Sequence, residues 1–216
     1  MYIGRIVSVA QTGDGRLAGV YRVSSRSFPN RTAVAGENKV SIVPKPGFEA
    51  DVQKNPYIAY NCVRIVCEGA VAVVANGSQT DFIAEKVELG MPVRDALVLG
   101  SLALDYEKDQ YNTPRVSAVA DKRGGAGWLA VVREDGLEVR RMPLEPGKFF
   151  YVATYEENRP LDAQGGAFDS TTAEPACDFI LGGGVFAERT NPVTAVAAVA
   201  TDAGFELHAK DMPQTS

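Results

Sequence analysis

One histidine, one tryptophan and three cysteines are all that this chain of 216 residues holds of three scarce residue types. Each shortage excludes something. Cys62, Cys67 and Cys177 are odd in number and lack framework spacing, which points to a reducing compartment, the cytoplasm, and not to a disulfide scaffold. There, the N-x-S/T matches at Asn30 and Asn76 carry no glycan. Cys62 and Cys67 lie five positions apart, so on one strand they face opposite ways and cannot share a metal. No Cys/His cluster has zinc spacing. The single histidine, His208, falls in a predicted edge hairpin near the C-terminus, a surface position, so a Ser-His-Asp set is not expected. Gly182-Gly183-Gly184 lacks a following Lys-Ser/Thr and a strand–glycine–helix context, so it is neither a phosphate loop nor a nicotinamide fingerprint.

Long apolar runs are missing too. No stretch approaches the roughly 18 residues that a membrane helix needs. The start, Met1-Tyr2-Ile3-Gly4-Arg5, lacks the basic head and apolar middle of a signal peptide. Basic excess is absent: 22 Lys+Arg against 27 Asp+Glu leave a net charge of −5. Such a surface does not suit a nucleic-acid polymer or an anionic membrane, and an anion site must be built locally from clustered arginine. The chain is expected to be one domain over 1–216, with no metal and no cofactor, and with residues 211–216 as a frayed tail.

What is present reads mainly as strands. Alternation over 2–10 and 17–23, around Gly13-Asp14-Gly15, predicts a hairpin. Further strands are predicted at 39–44, 58–66, 70–75, 115–120, 128–133, 137–142, 149–155, 193–201 and 205–209. Two helices break the series. One spans 81–89, capped by Ser78 or Thr80 and ended by Gly90. The next runs from Val93 to about Lys108, with Pro92 in its first turn. Leu99, Leu102, Ala103 and Tyr106 lie along one of its faces, so that helix is expected to be buried between layers. Residues 156–178 show no period and read as a long loop, functional or mobile. The pattern is α+β, with antiparallel strands folded into two packed sheets covered by helices.

Four stretches could carry chemistry. Tyr21 to Arg31 holds Arg22, Arg26 and Arg31 with Ser24, Ser25 and Ser27, beside Asn30, and no acid. Guanidinium forks and hydroxyls suit a phosphate, and a solvated basic loop is the alternative. In Asn55 to Arg64, alternation puts Tyr60, Cys62 and Arg64 on one strand face and Asn61, Val63 and Ile65 on the other. Tyr60 could then give up a proton beside a cationic Arg64, or be simply half-buried. Asn76 to Asp81 opens a helix, where backbone N–H groups receive anions, though capping explains Ser78 and Asp81 equally well. Asp105 to Arg115 crowds Asp105, Glu107 and Asp109 onto a helix C-terminus, where the dipole disfavours each by about 0.3–1 kcal/mol. Asp105 and Asp109 are also a like-charge pair four apart. Either function imposes this, or the helix stops before Glu107.

Taken together and in this order, Met1–Arg5, Tyr21–Arg31, Asn55–Arg64, Asn76–Asp81 and Asp105–Arg115 resemble the archaeal-type IMP cyclohydrolases. The resemblance is specific to about residue 115 and rests on strand pattern beyond it. It implies a four-layer αββα sandwich like that of the N-terminal-nucleophile hydrolases. Met1 before bulky Tyr2 leaves no residue-1 nucleophile, so the hydrolase chemistry does not follow. The implied reaction is closure of 5-formamidoimidazole-4-carboxamide ribonucleotide to IMP with loss of water, without a cofactor. The implied state is a homo-oligomer, a tetramer. On this footing Arg22, Arg26 and Arg31 with Ser24 or Ser25 hold the purine mononucleotide's phosphate or support the pocket, and Asn30 and Cys62 line it. Tyr60 donates to the formyl oxygen, Glu107 or Asp105 accepts the carboxamide proton, Asn76 and Asp81 line the base or ribose, and Arg115 is a second anion site or the acids' partner. A nucleotide-binding paralogue without turnover, or a formamide hydrolase using the same pocket, are the competing readings.

Overall fold

A computed structural model describes residues 1–213, and its strands form two antiparallel sheets packed face to face. The first sheet is built from β1 (Ile6–Gln11), β2 (Leu17–Ser24), β10 (Lys148–Ala153), β11 (Gly165–Ala167), β12 (Pro192–Thr201) and β13 (Gly204–Asp211), in the order β11-β10-β1-β2-β12-β13. The second runs in sequence order through β3 (Arg31–Ala35), β4 (Lys39–Pro44), β5 (Tyr60–Val66), β6 (Val71–Ala75), β7 (Arg115–Asp121), β8 (Ala126–Arg133) and β9 (Gly136–Met142). Helix α4 (Ala173–Gly182) covers the first sheet. Helices α2 (Gln79–Glu88) and α3 (Val93–Leu104) cover the second, and α1 (Asp51–Lys54) is a single turn before β5. The expected α+β arrangement of helix, sheet, sheet, helix is therefore present.

Strand parity explains the layers. In β12 the side chains of Val196, Ala198 and Ala200 enter the core between the sheets, while Ala195, Ala197 and Val199 pack under α4. Apolar residues on both faces make this strand a continuous hydrophobic run. β2 divides likewise: Leu17, Tyr21 and Val23 face the other sheet, and Ala18 and Val20 face α4. Between them, Gly19 lets the sheets approach, since a Cβ there would lie 2.8 Å from Val74 Cγ2.

Several expectations are corrected. The second central helix stops at Leu104 instead of Lys108, because Asp105 turns to φ 54°. Its buried face is Val93, Ala96, Leu97, Gly100 and Ser101. Leu102, expected inside, is 70% exposed and Leu99 is exposed as well, so α3 forms an outer layer. Ser78 makes no capping bond to α2, and the Thr80 hydroxyl donates to the Gly77 carbonyl. The 156–178 segment contains β11 and the start of α4, with Pro175 tolerated in the helix's first turn. β3 and α1 had no periodic signal long enough to find. The tail is ordered further than expected: β13 reaches Asp211, and Met212 N–H donates to the Val193 carbonyl. Residues 214–216 of that tail lie outside the described residues.

Arg22 follows from parity. It lies on the α4 side of β2, fully buried. Its Nε donates to Ser24 Oγ at 2.9 Å, and its fork reaches the carbonyls of Ile180, Leu181, Phe186, Arg189 and Thr190 at 2.6–3.5 Å. These are carbonyls at the end of α4 and in the turn after it, groups that a helix leaves unpaired. Burial, with Arg189 nearby, pushes its pKa down to about 10. Arg22 thus ties a helix end to a strand. Removing it orphans those carbonyls, and Arg22→Leu is expected to lower stability by about 3 kcal/mol or more, read as a fall in the urea midpoint at unchanged slope.

Candidate active site

At one end of the sandwich a cleft of about 850 Å³ opens where five chain segments meet. They are the entry to β1 (Tyr2, Gly4, Arg5), the exit of β2 (Ser24–Phe28) with Arg31, the approach to β5 (Lys54–Ile58), the segment after α3 (Glu107–Tyr111 and Thr113), and the exit of β10 (Thr154–Glu156). Three of the four predicted stretches supply wall residues.

Arg5 is the link between the sheets. It extends the parity of Val7 and Val9, which face the second sheet. Across the gap its Nη1 and Nη2 donate to Glu107 Oε1 and Oε2, both at 2.9 Å, and Nη1 also lies 3.4 Å from the Asn76 carbonyl. Glu107 is only 2% exposed, so this two-pronged pair is shielded from water. Burial works to lower the Arg5 pKa, but the Glu107 charge and hydrogen bonds prevail and hold it well above its usual value. The turn before Arg5 depends on Gly4. Its φ is 76°, and a Cβ would lie 2.0 Å from Thr154 Oγ1. Glu107 is delivered by the break at Asp105, with its own N–H donating to the Thr113 carbonyl.

The Tyr60 hydroxyl lies 2.5 Å from that of Tyr21. Burial raises the Tyr60 pKa, and the cations Arg31 and Arg5 oppose that rise. Arg31 is almost fully buried; its Nε donates to the Phe28 carbonyl at 3.0 Å, and its Nη1 has no partner among the described residues. At the mouth, Arg26 stacks over the Tyr2 ring at 4.1 Å. The Ser24 and Ser25 hydroxyls accept from Arg22 Nε and Phe28 N–H, which leaves their own protons free to donate. Asp109 accepts from Thr113 Oγ1 at 2.8 Å, and Thr113 Oγ1 is 2.8 Å from the Tyr155 hydroxyl.

Tyr60 lies behind this wall, within the influence of Arg31 and Arg5, and the other predicted site residues stand farther apart from it. A bulge explains two of them. Val40 pairs with Val63 and Ser41 with Asn61, so Cys62 is the extra residue of β5. Alternation resets there: Tyr60 and Cys62 face the inter-sheet core, while Arg64 turns to the α2 side with Asn61. Cys62 is buried, its thiol donating to the Val40 carbonyl, and burial pushes its pKa up. Asp81 accepts from Arg64 at 2.5 Å and from Asn61 at 3.0 Å. Asn76 is a buried brace between Pro114 O, Gln79 and Val116 N–H. Arg115 donates to Gln79 Oε1 at 2.9 Å, behind Tyr57, and burial lowers its pKa. Asp105 pairs with Lys108 at 2.6 Å, and the Asn30 carbonyl holds Lys45 N–H. His208 lies on the edge strand β13. Among the wall residues without a predicted role are Arg5, Tyr2, Tyr57 and Tyr155. Arg5 carried a signal: an arginine leading an apolar alternation on its inward parity.

Two antiparallel sheets between helices, with a cleft lined by arginines, tyrosines and a buried carboxylate, define an α+β protein with a polar cleft at one end of its sandwich. The family profile described as IMP cyclohydrolase-like protein matches residues 2–204, and the chain belongs to that family. It is similar to a protein named IMP cyclohydrolase from Methanosphaera stadtmanae, 47% identical over 202 residues, covering 94% of this chain and 96% of that one. A protein of the same name from Methanococcus maripaludis (strain C7) is 43% identical over 208 residues, 96% and 98% of the two chains. A third, from Methanocaldococcus jannaschii, is 40% identical over 216 residues, 97% and 99%.

The Arg5–Glu107 pair generates a stability prediction. Arg5→Met leaves a buried carboxylate without its partner and is expected to cost about 3–5 kcal/mol. Adding Glu107→Gln should restore part of that loss without restoring activity. Chemical denaturation of the single and double variants measures both.

Proposed function

We propose that the chain is an IMP cyclohydrolase, closing the pyrimidine ring of 5-formamidoimidazole-4-carboxamide ribonucleotide to give IMP and water. The observation that carries this reading is the meeting of Arg5, Glu107, Arg31 and Tyr60 at one end of the sandwich, in a chain of this family. A volume of about 850 Å³ suits a mononucleotide, small-molecule sites spanning about 300–1,000 Å³.

The substrate brings its own nucleophile, the carboxamide nitrogen, and its own electrophile, the formyl carbon. The protein must hold the reactive rotamer, stabilise an oxyanion and move protons. The free Ser24 and Ser25 hydroxyl protons, with Arg26, support a phosphate at the mouth. Tyr2, Tyr57 and Tyr155 offer aromatic faces to the imidazole. Within this reading the nitrogen attacks the formyl carbon, the Tyr60 proton passes to the formyl oxygen, and Arg31 stabilises the charge developing there. Glu107 retains lone pairs beyond those used by Arg5 and accepts the carboxamide proton. Glu107 then returns its proton to the new hydroxyl, which leaves as water, while the formamide N–H proton passes to the Tyr60 oxygen as the ring C=N bond forms, so both groups end as they began. Metal or cofactor has no step in this scheme.

Exposed leucines on the outer helix layer, Leu89, Leu99 and Leu102, support a homo-oligomer, for which a tetramer is the proposed state. The three free cysteines support a cytoplasmic setting.

An absorbance assay of the purified protein with the formylated ribonucleotide tests the activity. IMP must accumulate without formate release; free formate would instead indicate a formamide hydrolase. Tyr60→Phe is expected to lower kcat by about 10²–10⁴-fold, the usual worth of a positioned acid. A Tyr60→Phe protein at full rate would remove the proton-donor role.

A further inference from the structure

The Tyr21–Tyr60 contact asks which phenol donates. Tyr21 is fully buried on β2, between the sheets, and Tyr60 is half-buried on β5. The charged and titratable groups acting on the pair are Arg5, Arg31 and Cys62. The two arginines can only donate, and the Cys62 thiol already donates to Val40 O. Among the described residues the Tyr21 hydroxyl has one hydrogen-bond partner, the Tyr60 oxygen, and a buried donor without an acceptor is costly. Tyr60 is only partly buried as a residue, and the two cations acting on its hydroxyl, Arg31 and Arg5, line the cleft, so its proton has the cleft on its open side.

We propose that Tyr21 is a positioning residue: its hydroxyl donates to the Tyr60 oxygen and so leaves the Tyr60 proton free to point at the substrate. This rests on Tyr60 being the proton donor of the cyclohydrolase reaction. The consequence is directional. Donation from Tyr21 favours loss of the Tyr60 proton, in keeping with the sign of its effect on Tyr60. When that proton moves to the formyl oxygen, the Tyr60 oxygen is left negative and already holds one hydrogen bond, with Arg5 and Arg31 close by. Since the two rings stand on strands of different sheets, the geometry exists before substrate arrives.

A double-mutant cycle tests this. Tyr21→Phe is expected to lower kcat roughly tenfold, the worth of one hydrogen bond to a charged oxygen, with KM changed less than twofold. In a Tyr60→Phe background the same substitution should change kcat by less than twofold, because its target is gone. A purely structural Tyr21 would slow both backgrounds equally, and that result overturns the proposal, as does full activity of Tyr21→Phe. Should Tyr21→Phe fail to fold by circular dichroism, 3-fluorotyrosine at position 21 keeps the ring and hydroxyl while strengthening the donor. It must raise kcat at neutral pH, and an unchanged or lower kcat counts against the proposal. Wild-type protein that forms no IMP defeats the underlying reading first, before any variant is compared.

Discussion

A single ion pair fixes the working end of this sandwich. Arg5 belongs to one sheet's edge of the cleft and Glu107 to the segment leaving the helix layer on the other side. Neither charge can be left alone in so dry a place, so their partnership determines how the two halves close. The geometry is demanding: a two-pronged contact tolerates little rotation, and Gly4 and Asp105 accept unusual backbone angles to supply it. Once Arg5 is set, its guanidinium lies near Tyr21, Tyr60 and Arg115, and the electrostatics of the floor follow.

Strand parity does the rest of the sorting. β2 sends Tyr21 toward the cleft side of the inter-sheet core and Arg22 toward α4, though they are neighbours in sequence. One side chain then serves a reacting phenol and the next a helix end. Arg22 and Arg31 are both arginines from one basic stretch, yet Arg22 spends its donors on carbonyls while Arg31 keeps one nitrogen without a partner. Residue type identified the stretch; direction separates the roles.

This explains what could be read beforehand. Alternating apolar patterns located most strands, and the arginine-serine stretch, Tyr60 and Glu107 all reach the same region. What misled was any inference across an unseen backbone irregularity. The extra residue at Cys62 reverses the face of Arg64, and nothing in the local composition announces it. The early end of α3 moves Glu107 off a helix and into the cleft, on the strength of one positive φ. The face of α3 was misjudged because leucine was weighted above small residues. In contact with α2 it is Gly100 that fits, where a Cβ would lie 2.5 Å from Ile83 Cγ1, while Leu102 is left outside. Arg5 escaped because its place in the alternation over 2–10 was read as strand pattern and not as a charge aimed between the sheets.

Several of the irregularities share a location, although Cys67, Glu68 and Asn191 do not. Gly4, Asp105, Asn112 and Glu156 all adopt positive φ, and each lies in or beside a segment bordering the cleft. The regular strands behind them are long, buried and mutually braced, as in β7, where every residue is buried. Strained turns persist only where the surrounding structure over-determines them. Here the two packed sheets provide that constraint, and the turns use it to aim charged groups inward that a regular strand or helix would have carried past the opening. The acids crowded after α3 conflict with the helix dipole only if the helix continues; by stopping at Leu104 the chain removes the conflict and gains a carboxylate for Arg5. A sequence that breaks a local rule is, in this fold, marking the place where the regular structure ends and the site begins.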